Sequence, residues 1–178
     1  MDHGHESHGT AADESRGAPV AEALPEREQA DHEVAAGSVG GVCAGSLVWL
    51  AAMLTTRGEG GFLLPLRLVA ASLLGDAALD SGAVVGPVAV GMLLAAMASV
   101  LFGLVYVSLL PQGTRTPAAV LVGLVYAAAL WAIAWMGVAR VLAPVLHAAP
   151  EPMAALGLHA LYGLILGLLV PFLRKVLP

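Results

Sequence analysis

The apolar residues of this chain are gathered into long charge-free runs separated by short polar connectors. The first run is Ser38 to Thr56, SVGGVCAGSLVWLAAMLTT, 19 residues without a charge. At 1.5 Å per residue it reaches roughly 28 Å, close to the ~30 Å hydrocarbon core of a bilayer, and predicts a first span over 38–56. Arg57-Gly58-Glu59-Gly60-Gly61 ends it with charge and glycine. Residues 83–110 and 118–143 predict a second and third span, the latter uncharged until Arg140 near its end, where a long side chain can snorkel. The turn-rich segment Pro111 to Pro117 joins them. After the prolines at 144, 150 and 152, residues 153–173 predict a fourth span, closed by Arg174 and Lys175.

One apolar stretch breaks the pattern. FLLPLRLVAASLLGDAALD, residues 62–80, carries Pro65, Arg67, Asp76 and Asp80, and its longest charge-free piece runs only from Leu68 to Gly75. A charge at the bilayer centre costs about 2.5–3.5 kcal/mol on insertion scales. Residues 62–80 are therefore expected to form an interfacial or re-entrant helix, with Arg67 and Asp76 at headgroup level, rather than a fifth span. The expected fold is an all-α membrane protein: four transmembrane helices as two hairpins, plus that interfacial or re-entrant helix.

Composition agrees. Charged residues make up 12 % of the chain and apolar residues 58 %, against about 25 % charged in soluble domains. The net charge of −5 hides a division. Residues 1–36 carry nine acids against Arg16 and Arg27, whereas residues 37–178 carry four acids and six bases. The first segment has no aromatic residue and no apolar run, so it buries too little surface to offset its ordering entropy. It is expected to be an acidic, disordered tail with at most a helical turn near 27–36, and it lacks the basic start and apolar core of a signal peptide. Residues 37–178 are the expected bundle.

Four spans place both termini and the 111–117 connector on one side. That side carries Arg27, Arg115, Arg174 and Lys175 near the membrane, and the other carries Arg57, Arg67 and Arg140. The positive-inside rule then favours cytoplasmic termini.

Small residues recur every fourth position in the runs: Gly37, Gly41 and Gly45; Gly91, Ala95, Ser99 and Gly103; Ala119, Gly123 and Ala127; Gly163 and Gly167. In lipid, helices associate through close backbone approach at such residues. The stripes suit packing within one chain or a seam between two copies. Cys43, the single cysteine, is read as a small packing residue. A short internal repeat accompanies the stripes. Ser99-Val-Leu-Phe-Gly-Leu-Val-Tyr106 resembles His159-Ala-Leu-Tyr-Gly-Leu-Ile-Leu166, and Trp49 and Trp131 occupy the centres of the first and third runs. Two helical hairpins, the first with an insertion, account for both.

Chemistry-bearing residues are sparse. His159 lies about two turns into the fourth span on its small-residue face, where an imidazole can bond a helix carbonyl or Ser99, relay protons or ligate a metal or haem. Asp76 and Asp80 share a helix face. The tail holds His3, His5 and His8, and Met1-Asp2-His3 with a free amine has the layout of a Cu(II) or Ni(II) chelate; short His-rich tracts also suit Zn. No cofactor is expected from any complete motif. There is no phosphate loop, no HExxH and no nucleophile elbow, so no enzyme activity and no nucleic-acid partner are expected.

The glycine-rich first span, PLRLVAASLLG (65–75), Phe102-Gly103 and HALYG (159–163) resemble small bacterial inner-membrane proteins, broadly YagU-like, over about residues 38–175. The resemblance implies membrane location and little about activity. Position 99 is Ser where such proteins are expected to carry a second histidine. Three functions follow as expectations: a structural or accessory subunit partnered with the bilayer and another membrane protein or itself; a small transporter or channel with a pathway near His159; a metal- or haem-handling membrane protein.

Overall fold

The structure, a computed structural model, describes residues 19–58, 61–80, 82, 84–138 and 152–177. Among these every regular element is helical: α1 (Pro19–Thr55), α2 (Leu64–Leu74), α3 (Val85–Leu109), α4 (Thr116–Ala132) and α5 (Pro152–Val176). The chain divides into two compact units, Met1–Asp31 and His32–Pro178. Of the first, residues 19–31 are helix, with Arg27 to Asp31 exposed. The rest of this description concerns the second unit.

Among the described residues four helices are long and apolar enough to cross a membrane: Arg27–Gly58, Val85–Leu109, Thr116–Trp135 and Met153–Val176. Their outward faces are apolar. Met92, Leu93, Met97 and Leu101 on α3 and Leu121 and Val125 on α4 are all exposed, a surface suited to lipid and a liability in water. This is the expected all-α membrane architecture.

Three boundaries differ from expectation. The first helix begins at Pro19, so residues 19–36, expected in the unfolded tail, are helical. Helix growth onto an existing helix avoids the nucleation penalty, and the segment is rich in Ala and Glu, which propagate helix well. The expected third span over 118–143 is helix from Thr116, and its α-helical geometry gives way at Ile133 to a π-helical segment, Ile133–Val138; residues 139–143 lie outside the described residues. Within 62–80, α2 has 11 residues, roughly 17 Å and too short to cross. A 3₁₀ segment, Gly75–Leu79, follows it.

Pro171 lies inside α5, but three other prolines sit where their missing N–H matters least. Pro65 and Pro117 occupy the first turns of α2 and α4, and Pro87 occupies that of α3. Pro111 and Gly113, the latter at φ +70°, make the turn between α3 and α4.

The helices form two hairpins, α1 with α3 and α4 with α5. A Cβ placed at Gly41 would run into the backbone carbonyl of Ser99, and one at Gly103 into that of Gly37. Gly163 and Gly123 likewise meet backbone to backbone, and a Cβ at Gly167 would meet Val120 and Ala119. Close approach of this kind requires glycine. Gly40 sets α1 against Val170 and Leu166 of α5, and Gly91 receives the carbonyl of Leu66, seating α2 on α3. The small-residue stripes are thus occupied within the chain. Cys43, expected as a packing residue, is instead exposed.

Candidate functional site

Serines and threonines of the described residues bond carbonyls three or four residues back, whereas the tyrosines tie one helix to another. Tyr106 on α3 donates to the Ala119 carbonyl on α4 at 2.7 Å. Tyr126 on α4 returns a bond to the Phe102 carbonyl on α3 at 2.8 Å. Their rings pack at a centroid distance of 5.6 Å, tilted by 48°. Tyr162 on α5 donates to the Ser99 carbonyl on α3 at 2.8 Å. A tyrosine suits this task because its ring fills core volume while its hydroxyl supplies one donor for a second lone pair on a helix carbonyl. Sequence reasoning passed over all three; the signal was their placement inside charge-free runs, where a hydroxyl needs a partner.

Ser99 and His159 do not bond each other. The Ser99 hydroxyl, buried, donates to the Ala95 carbonyl one turn back at 2.7 Å. His159 Nδ1 lies 2.8 Å from the Ala155 carbonyl one turn back. A carbonyl only accepts, so Nδ1 carries the proton and donates. The two positions that the internal repeat equates therefore make the same bond on their own helices. Ala95 and Ala155, the two acceptors, are both buried. The repeat is visible in geometry as well as in sequence.

The seam residues surround these bonds. Gly45 lies against the Ser99 side chain, and Gly41 and Gly103 close the same face one turn away. Gly163 and Gly167 close the α4–α5 face, and Gly91 lies apart, under α2. The structure thus brings Gly41, Gly45, Ser99 and Gly103 into one seam and His159, Gly163 and Gly167 onto another.

At the end of the bundle where α1 enters and α5 leaves, Arg174 makes the densest polar contact. Its guanidinium meets Glu33 Oε2 at 2.7 and 2.9 Å, and reaches the carbonyls of Val107, Leu110 and Pro111 at 2.9 to 3.3 Å. Val107 lies in the last turn of α3, Leu110 caps it and Pro111 follows; the Val107 and Pro111 carbonyls also accept from the N–H groups of Leu110 and Thr114. Glu33 was assigned to the unfolded tail by composition and Arg174 to a flanking charge; their pairing needed the helical start of α1. At the other end, Arg67 does not pair with Asp76. It donates to the carbonyls of Ala78 and Asp80 at 3.0 and 2.8 Å, closing the 3₁₀ segment on α2.

Among the described residues no group of three or more His, Cys, Asp or Glu is placed to hold a metal ion. His3, His5, His8 and His147 lie outside the described residues. A groove lined by Ala96, Met97, Val100, Leu101 and Leu104 is open, apolar and built from α3 alone. No family model, curated protein or solved structure matches this chain.

Proposed function

We propose that the chain is a non-enzymatic structural or accessory subunit of a bacterial inner-membrane assembly, with both termini and the 111–115 turn on the cytoplasmic side. The observation that supports this reading is where the polar atoms go. Tyr106, Tyr126, Tyr162 and Arg174 bond the backbone of a neighbouring helix, and Ser99 bonds its own. Polar groups spent on internal carbonyls rigidify a bundle and leave little to line a conduction path. The resemblance to YagU-like proteins and the distribution of Arg115, Arg174 and Lys175 favour the inner membrane and this orientation.

Two measurements test it. Native membranes solubilised in mild detergent should hold the chain in a particle of fixed stoichiometry with another membrane protein. A free monomer in its own membrane would overturn the accessory role, and saturable solute flux by the pure protein in liposomes would replace it with transport. For orientation, Cys43 is replaced by Ser and single cysteines are placed at 59 and 114. An impermeant thiol reagent applied from the periplasmic side should label 59 alone; labelling of 114 alone inverts the assignment.

A further inference from the structure

Two ring nitrogens of the α4–α5 pair make no bond to the described residues. Trp131 Nε1–H is a donor, is shielded from solvent and has no hydrogen-bond partner among the described residues. His159 carries the other. Its Nδ1–H is committed to the Ala155 carbonyl, so in the neutral ring Nε2 is a bare acceptor.

The helix register brings the two residues to one level. α4 and α5 are antiparallel neighbours, and Gly163 meets Gly123 and Ala127. One turn back from Gly163 on α5 is His159. One turn on from Ala127 on α4 is Trp131. The stripe Ala119, Gly123, Ala127 thus ends in Trp131, and the stripe Gly167, Gly163 ends in His159. The seam that is closed by glycine for two turns changes at this level to one with a large side chain on each helix. Just beyond, at Ile133, α4 becomes π-helical, a local widening that often accompanies functional positions. The indole does not bond the imidazole directly, since Nε1 has no partner. A buried N–H left unmatched costs free energy unless another group accepts from it, and the unbonded Nε2 of His159 at the same level of the seam can take a proton from that group.

We infer that this level of the α4–α5 seam binds a neutral hydroxyl group, its oxygen accepting from Trp131 Nε1–H and its proton donated to His159 Nε2. Neutrality follows from the surroundings: no Asp, Glu, Lys or Arg occurs in residues 34–56, 81–114, 116–139 or 152–173, so a charged ligand would lie uncompensated. A hydroxyl is selected over a carbonyl because a carbonyl oxygen would satisfy the indole but face the imidazole lone pair. Water supplies such a group, as does a membrane-soluble molecule bearing a phenol or an alcohol. His159 is only partly buried, so the site is reachable. The inference does not rest on the accessory role.

The test uses the full chain in phosphatidylcholine nanodiscs with ¹⁵N-labelled tryptophan and histidine. Three tryptophans give three indole resonances, and Trp131→Phe assigns the one of interest. The Trp131 indole proton is expected at a hydrogen-bonded frequency, moving upfield in His159→Phe while the Trp49 resonance stays in place and reports an intact fold. An exchange cross-peak to water, unchanged by added decylbenzoquinol or dioctanoylglycerol, identifies water as the source. A saturable shift with either hydroxyl compound, absent with decylbenzoquinone, identifies the lipid phase. A Trp131 resonance at the unbonded frequency that ignores water and both compounds overturns the site, and so does a through-bond coupling between Trp131 Nε1 and His159 Nε2.

Discussion

Removing the Arg174 side chain should cost the bundle about 2–3 kcal/mol, more than any other single polar change described above. The estimate is built from its contacts. The ion pair with Glu33 has an N–O distance of 2.7 Å, and the two side chains keep 15 % and 25 % of their surface exposed. A pair so placed lies between an exposed ion pair, about 0.2–1 kcal/mol, and a fully buried one. The same guanidinium serves the carbonyls of Val107, Leu110 and Pro111 at and just beyond the end of α3; two of these already accept from backbone N–H groups, so one net bond of about 1 kcal/mol is credited for the three together. Arg174→Ala deletes both contributions, and Glu33→Ala deletes only the pair. The double variant should resemble Arg174→Ala, leaving a coupling energy of about 1–2 kcal/mol between positions 141 residues apart in sequence. Arg174→Lys keeps the charge but not the planar fork that meets carboxylate and carbonyls together, so it should fall midway. Reversible unfolding in mixed micelles by sodium dodecyl sulfate, followed by helicity, measures all four proteins. Additive single changes with no coupling would refute the claim that α1 and α5 are joined here, and a loss below about 0.5 kcal/mol for Arg174→Ala would refute the whole estimate.

Three further outcomes follow from the packing. Gly163→Ala puts a methyl group into the backbone carbonyl of Gly123 and should lose about 1–3 kcal/mol in the same assay, because neither helix can move without opening the seam. Gly157→Ala, on the same helix with nothing within 4 Å of its added carbon, should instead gain up to about 1 kcal/mol from helix propensity. Tyr126→Phe and Tyr162→Phe each remove one interhelical hydrogen bond and should lose about 0.6–1.5 kcal/mol, read as a lower midpoint at an unchanged slope.

The parts of this molecule that could be read from sequence are those decided by a single segment. Whether a run spans a bilayer depends on its own length and charge, and the runs beginning at Ser38, Ala83 and Met153 match α1, α3 and α5 closely over their apolar parts. Arg67, Asp76 and Asp80 correctly marked 62–80 as something other than a span. The small-residue stripes were equally legible as stripes, but their partners were not: Gly41 against Ser99 and Gly163 against Gly123 require the register of two helices, which no single helix encodes. Glu33 was misplaced for a related reason. Composition describes residues 1–36 as soluble and unstructured, yet the segment from Pro19 continues a helix whose nucleation is supplied by the apolar run after it.

The internal repeat shows how two hairpins with one pattern acquire different interiors. Ser99 and His159 are equivalent by sequence, and each bonds the carbonyl four residues earlier. A serine hydroxyl has one proton, and the Ala95 carbonyl takes it; the side chain is small enough for Gly45 to close over it. An imidazole satisfied at Nδ1 still presents a second nitrogen and a larger ring, so the seam around it cannot close as the first hairpin does. Trp49 and Trp131 are equivalent too, and of the two it is the Trp131 indole nitrogen that is buried without a partner. The asymmetry between hairpins therefore reduces to one substitution type at one repeat position, histidine for serine. Replacing His159 by Ser should let the second seam close as the first does, and the Trp131 indole resonance should then lose its exchange with water or its response to added hydroxyl compounds. A His159→Ser protein whose Trp131 signal is unchanged would show that the imidazole is not what keeps the second seam open.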